Sequence, residues 1–134
     1  MVDKNSLIKE FQSVLKNPVM IEGIDQFLSD WRGVFRGKVK FVVFPSTTEE
    51  VSKILRLANK YNIPIVPQGG NTGLCGGATP DNSGNSILIN FTKLNNVRNI
   101  DLLGNTVTVE AGCILENILN IVQEKDKIFL QSEI

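Results

Sequence analysis

The sequence predicts an α+β fold: a small, mainly parallel sheet with covering helices, plus a hairpin. Three observations carry this. Phe41 to Phe44 and Ile63 to Val66 are short continuous apolar runs, the pattern of buried parallel strands. Between them, Val51, Ile54, Leu55 and Ala58 recur at i, i+3, i+4 and i+7, the period of a helix. Farther along, Val97 to Leu102 and Asn105 to Glu110 form two strand-like arms around Gly104-Asn105.

The elements follow in order. Ser6 to Lys16 predicts an amphipathic helix with Leu7, Phe11, Val14 and Leu15 on one stripe, ended by Pro18. Ile21 to Asp30 is expected to hold a short second helix. Residues 1–29 thus read as a helical lead-in, and 30–134 as the main unit. Trp31 to Lys38, WRGVFRGK, is an irregular basic stretch. After the first strand Pro45 breaks the pattern, and Ser46 with Glu49, or Thr47 with Glu50, fits the capping box that opens a helix. Asn62 is suited to a left-handed stop. Strand, helix, strand in this order is a βαβ unit, expected to be right-handed. Asp81-Asn82-Ser83-Gly84-Asn85 is turn chemistry, and Ser86 to Asn90 is the third strand. In the second arm of the hairpin Val107 and Val109 should face inward, and Thr106, Thr108 and Glu110 outward. A last helix is expected from about Ile114 to Gln123, with Leu115, Ile118, Leu119 and Val122 as its buried stripe. Ile128, Phe129 and Leu130 then suggest the start of another strand.

Composition removes several classes of function. The 134 residues suffice for one domain with a real core. Lys plus Arg equals Asp plus Glu at 14 each, so no basic surplus points to nucleic acid or to an anionic membrane. No apolar run approaches the roughly 20 residues of a transmembrane helix, and the start, MVDKNSLIKEF, lacks the apolar core of a signal peptide. Histidine is absent, which removes His-based general base catalysis, Ser/His/Asp triads and His metal sites. Two cysteines, Cys75 and Cys113, make neither a disulfide framework nor a zinc spacing. A cytoplasmic, reduced protein is expected, with its chemistry carried by a cofactor or by other residues outside this chain.

The most informative stretch is Pro67 to Pro80, PQGGNTGLCGGATP. Five of the eleven glycines fall between Gly69 and Gly77, and between Tyr61 and Thr92 the only charged residue is Asp81. Such a loop exposes its N–H groups, lets a ligand approach the main chain, and can form a concave anion site. The natural guest is a phosphate or pyrophosphate. A plain connector would rarely need the Gly69-Gly70 and Gly76-Gly77 pairs so close together. No lysine follows these glycines, so the Walker pattern is absent, and so is G-x-G-x-x-G. Spacing alone leaves the ligand open.

A family resemblance goes further. Asp30-Trp31-Arg32, Phe44 to Val51, Val66 to Pro80, and Val109 to Cys113 with Leu115-Glu116 resemble, in order, segments of the FAD-linked oxidases with the vanillyl-alcohol-oxidase-type flavin fold. Within them the chain is similar to the D-2-hydroxyacid dehydrogenase branch, which includes D-2-hydroxyglutarate dehydrogenase, D-lactate dehydrogenase and the glycolate oxidase large subunit. The resemblance implies the first subdomain of a PCMH-type FAD-binding domain. It implies that Pro67 to Gly77 cradles the FAD pyrophosphate. Gly69, Gly70, Thr72 and Gly73 would then supply N–H donors. Asn71 and Thr72 would add side-chain bonds or merely close turns. Gly76 and Gly77 would allow close passage of the ribityl-diphosphate, and Gln68 would bind or only brace the loop. FAD would be non-covalent, since histidyl attachment is impossible and Cys75 reads as a buried structural thiol. Cys113 reads as a core residue and Trp31 as a surface anchor. The resemblance also implies a second subdomain and a substrate domain beyond these residues. It follows that the chain alone should lack turnover, and that an exposed apolar face should favour self-association. Two other readings stay open at this point: a non-catalytic remnant of such an enzyme, and a module for another phosphate-bearing ligand.

Overall fold

The computed structural model describes residues 2–125. The strand expected at Ile128 to Leu130 lies outside them.

Helix α1, Lys4–Ser13, opens where the Asp3 carboxylate accepts the Ser6 N–H, and it buries Leu7 and Phe11. It ends before the expected Lys16, because the Lys16 N–H turns away to the Glu50 carboxylate at 2.7 Å. The second helix expected within Ile21 to Asp30 is not formed. Only a 3₁₀ turn, Asp25–Phe27, appears there. The reasons are local: Gly23 takes φ 67°, and Met20 is drawn into an antiparallel bridge with Val42 through two 2.9 Å bonds.

Strand β1, Val42–Val43, leads into α2, Thr48–Lys60, and then β2, Ile65–Gln68. Of the two possible capping boxes the second forms. The Thr47 hydroxyl accepts the Glu50 N–H at 3.1 Å. The Glu50 carboxylate reaches back one residue beyond the cap, accepting from the Ser46 N–H at 2.6 Å and its hydroxyl at 3.0 Å. At the other end Asn62 adopts φ 52° and the Ile63 N–H bonds the Ala58 carbonyl, a Schellman stop.

Strand β3, Ile87–Asn90, completes a parallel sheet of order β1-β3-β2. The last strand to arrive therefore takes the centre, and the β1-α2-β2 crossover skips over it. This leaves β2 on an edge, with Ile65 and Val66 only half-buried rather than fully covered as expected, whereas β3 is buried throughout. Successive side chains alternate between faces. Phe41, Val43, Ile87 and Ile89 meet Phe11, Ile54 and Ala58 of the helices. Val42, Phe44 and Leu88 meet Met20, Ile24 and Phe27 on the other side.

Strands β4, Val97–Asp101, and β5, Thr106–Val109, form the antiparallel hairpin as a separate sheet. Its turn is closed by the Asp101 carboxylate, which accepts the Leu103 and Gly104 N–H groups, and by Asn105 at φ 52°. Arg98 ties the hairpin to Glu110 at 3.3 Å and to the Thr48 hydroxyl at 3.0 Å. Helix α3, Leu115–Gln123, fully buries Val122 alone. Leu115, expected inside, is exposed, because the first turn of α3 borders a cleft rather than the core.

Candidate functional site

The parallel strands bring the glycine loop to the carboxyl end of β2, the end of an open α/β sheet where ligands bind. Gln68, the last residue of β2, is almost fully buried and acts as a strut. Its amide Nε2 donates to the Phe27 carbonyl at 2.9 Å and to the Ala78 carbonyl at 3.0 Å, spanning both ends of the loop. Its Oε1 accepts from the Asn90 amide at 3.3 Å. Asn71 takes φ 57° and donates its side-chain amide to the Ser29 carbonyl at 2.7 Å. A left-handed position in this glycine-rich loop is thus taken by an asparagine. Among Gly69, Gly70, Gly73, Gly76 and Gly77, Gly76 takes positive φ, at 77°, with the Phe35 ring directly behind it.

The segment read as an irregular basic stretch proves to be the loop's outer support. Asp30 is buried, accepts the Phe35 N–H at 2.9 Å, and lies 3.5 Å from Arg32 Nε. The Phe35 N–H holds the Asp30 carboxyl below the usual carboxylate range against the opposing effect of burial, with Arg32 adding to the lowering. Arg32 in turn donates to the Leu74 carbonyl at 2.6 Å. Gly37 fixes the far end: its N–H bonds Leu28, the next N–H bonds Asp81, and a Cβ there would overlap the Pro80 carbonyl.

Held at these points, the loop leaves Gly70, Thr72 to Cys75 and Gly77 exposed. Among the described residues, the N–H groups of Gly69 to Gly77 donate to no backbone carbonyl. A Cβ added at Gly69, Gly70, Gly73 or Gly77 would meet nothing within 4 Å. Gly70 and Thr72 form one wall of an open cleft of about 510 Å³. The opposite wall is Thr92 and the stretch from Ala111 to Glu116, with Leu119. Gly112 lets that wall in: its N–H bonds the Leu94 carbonyl at 2.8 Å, and any Cβ would overlap the Phe91 carbonyl.

Residues 39–131 match the FAD binding domain family. The chain belongs to this family. Its helices and parallel sheet are those of the PCMH-type FAD-binding fold, and FAD is the family's cofactor. Relatives include the mitochondrial D-2-hydroxyglutarate dehydrogenase of Danio rerio, 39% identical over 99 residues, which cover 74% of this chain and 18% of the relative. The mitochondrial D-2-hydroxyglutarate dehydrogenase of Arabidopsis thaliana is 31% identical over 121 residues, 88% of this chain and 21% of that protein. Among solved structures, substrate-bound p-cresol methylhydroxylase superposes with a TM-score of 0.76 at 23% identity, covering 91% of this chain and 25% of that one. The chain therefore spans about a quarter or less of the length of these proteins.

Several expected features are repositioned. Cys75 is exposed on the loop, not a buried structural thiol, because its neighbours are tied through Arg32 and Phe35 and leave no cover over it. Cys113 is half-buried, its thiol 3.5 Å from the Asn96 carbonyl, and it lines the cleft. Trp31 is exposed over two thirds of its surface. The second wall, from Ala111 to Glu116, carried a signal in the Glu110-Ala111-Gly112-Cys113 segment but was not read as part of a site. Thr92 carried none, since only the sheet brings it opposite Thr72.

Proposed function

We propose that the loop from Pro67 to Gly77 holds the diphosphate of FAD, and that it does so within an oxidoreductase acting on D-2-hydroxy acids. The observation that carries the reading is the open space at the Cβ positions of Gly69, Gly70, Gly73 and Gly77, beside N–H groups that donate to no backbone carbonyl among the described residues. A ligand backbone can lie there at a distance that side chains would forbid. A run of main-chain N–H groups without backbone acceptors suits a diphosphate, because such groups can form a concave anion site. FAD fits these residues. Gly69, Gly70, Thr72 and Gly73 would donate from the main chain, Thr72 would add its hydroxyl, and Gly76 and Gly77 would let the adjoining chain pass.

Gln68 and Asn71 do a different job. Their amides bond protein carbonyls, so they shape the loop. The wall at Ile114 and Leu115 offers exposed apolar surface to the less polar part of the cofactor. When bound, flavin supplies the two-electron chemistry of a hydroxy acid's oxidation to an oxo acid. The substrate class rests on the similarity to D-2-hydroxyglutarate dehydrogenases. Attachment of FAD is non-covalent in this reading. Exposed Trp31, Val34, Phe35 and Leu74 around the loop form an apolar surface that favours self-association at high concentration.

The test is a titration of the isotopically labelled chain followed by amide NMR shifts. FAD and ADP should both move the amides of Gly69 to Gly77, and riboflavin, which lacks the diphosphate, should leave them in place. Shifts confined to other residues would overturn the assignment.

A further inference from the structure

The two limbs of the glycine loop are held differently. The inner limb, through Asn71, is tied by Gln68 and Asn71 to the carbonyls of Phe27 and Ser29. On the outer limb, between Leu74 and Gly77, the bond from Arg32 to the Leu74 carbonyl at 2.6 Å ties the loop to a distant part of the chain. Among the described residues, the other support between Leu74 and Gly77 is local or apolar, from the Thr79 N–H on the Gly76 carbonyl and the Phe35 ring behind Gly76. The limb is next anchored at Ala78, whose carbonyl accepts from the Gln68 amide at 3.0 Å. Arg32 is not a loose surface cation. It leaves a closed turn in which the Gly33 N–H bonds the Asp30 carbonyl, and the Asp30 and Phe35 backbones are paired at 3.1 Å. Its Nε faces the buried Asp30 carboxylate while a terminal nitrogen reaches Leu74. A guanidinium can serve two partners on two edges at fixed angles, and an ammonium cannot.

We propose that Arg32, oriented by Asp30, is a positioning residue for the diphosphate-binding loop: it fixes Leu74 to Gly77 so that their N–H groups already face the ligand. This rests on the functional reading above. Arg32 acts through the Leu74 carbonyl and not by touching the phosphates. Preorganised donors bind more tightly because less ordering remains to be done on association.

Three variants of the chain test this: Arg32→Ala, Arg32→Lys and Asp30→Asn. Arg32 is partly exposed, so its variants should keep their circular dichroism and melting temperature. Backbone order parameters from NMR relaxation are measured without ligand, and affinity for FAD, for riboflavin and at several salt concentrations is measured alongside. Both Arg32 variants should lower the backbone order parameters of Leu74 to Gly77 and weaken FAD by roughly tenfold, the scale of one lost hydrogen bond from a charged donor. Riboflavin affinity and the salt dependence of FAD affinity should not change. Asp30→Asn should give the same pattern more weakly. Unchanged order parameters at Leu74 to Gly77 would overturn the proposal. So would full rescue by lysine with a flatter salt dependence in Arg32→Ala, because Arg32 would then act as a charge on the phosphates. Lower order parameters with unaltered FAD affinity would also overturn it, and would show that the functional reading, not the tie, had failed.

Discussion

A methyl group added at Gly112 would overlap the Phe91 carbonyl oxygen, whereas one added at Gly70 would meet nothing within 4 Å. The same residue type therefore serves two ends in one cleft. Gly112 closes main chain on main chain, and Gly70 leaves room for a guest. Gly112→Ala should cost about 1–3 kcal/mol, the usual range for overpacking. A denaturant midpoint unchanged from the parent would refute that. Gly70→Val should leave the melting temperature alone but weaken FAD by at least about tenfold, equivalent to ~1.4 kcal/mol. If melting falls and affinity per folded molecule does not, the loop is structural. Cys75 poses another residue-scale question, because its exposure removes burial as a reason against covalent flavin. Histidine offers no attachment point, since the chain has none. Acid precipitation of the flavin-loaded protein should leave the colour in the supernatant, and Cys75→Ser should retain FAD. Colour in the pellet that Cys75→Ser abolishes would show a thiol link.

At the scale of elements, the first turn of α2 is held by side chains that also join it to its neighbours. Thr47 caps its first turn, and Glu50 connects that turn to Ser46 and to the end of α1 at Lys16. Thr47→Ala should destabilise by about 1 kcal/mol, as N-cap losses do. Urea unfolding measures this, and a change within error would mean that the Glu50 contacts alone define the helix start. The hairpin depends on the same region, since Arg98 bonds both Glu110 and Thr48.

For the molecule as a whole, the stability at low pH is tied to four carboxylates among the described residues whose pKa values lie below their ordinary values. Asp30 is lowered chiefly by the Phe35 N–H. Burial raises Glu50, but the bonds from Ser46, Lys16 and Thr47 outweigh it. Asp81 is lowered by Ser83, and Glu110 chiefly by the Asn96 N–H. A carboxylate lowered on folding binds protons more weakly when folded than when unfolded. Its stabilisation is complete above the unfolded pKa, about 4, and is lost as pH falls through the folded value. The melting temperature should therefore hold between about pH 7 and 5 and fall steeply below about 4. A flat profile down to about pH 3 would contradict this assignment. Glu50→Gln, which removes one of the four, should make the acid fall shallower.

Local chemistry determined much of this protein. The apolar period set α2, the hydroxyl and acid of Thr47 and Glu50 set its start, and Asn62 set its end. The glycine cluster of Pro67 to Pro80 and its lack of charge were legible as an anion loop, because close approach to backbone is a property of the residues themselves. Tertiary structure decided the rest. The helix expected in Ile21 to Asp30 gave way because Met20 pairs with β1, a partner 22 positions away that no local window contains. The central place of β3 depends on three strands at once. Asp30, Arg32 and Phe35 became the outer support of the loop only when the fold laid them against Leu74 and Gly76. Cys75 lost its cover and Leu115 its burial for the same reason: a side chain's surroundings are supplied by distant segments, and periodicity gives its face on an element but not what that face meets.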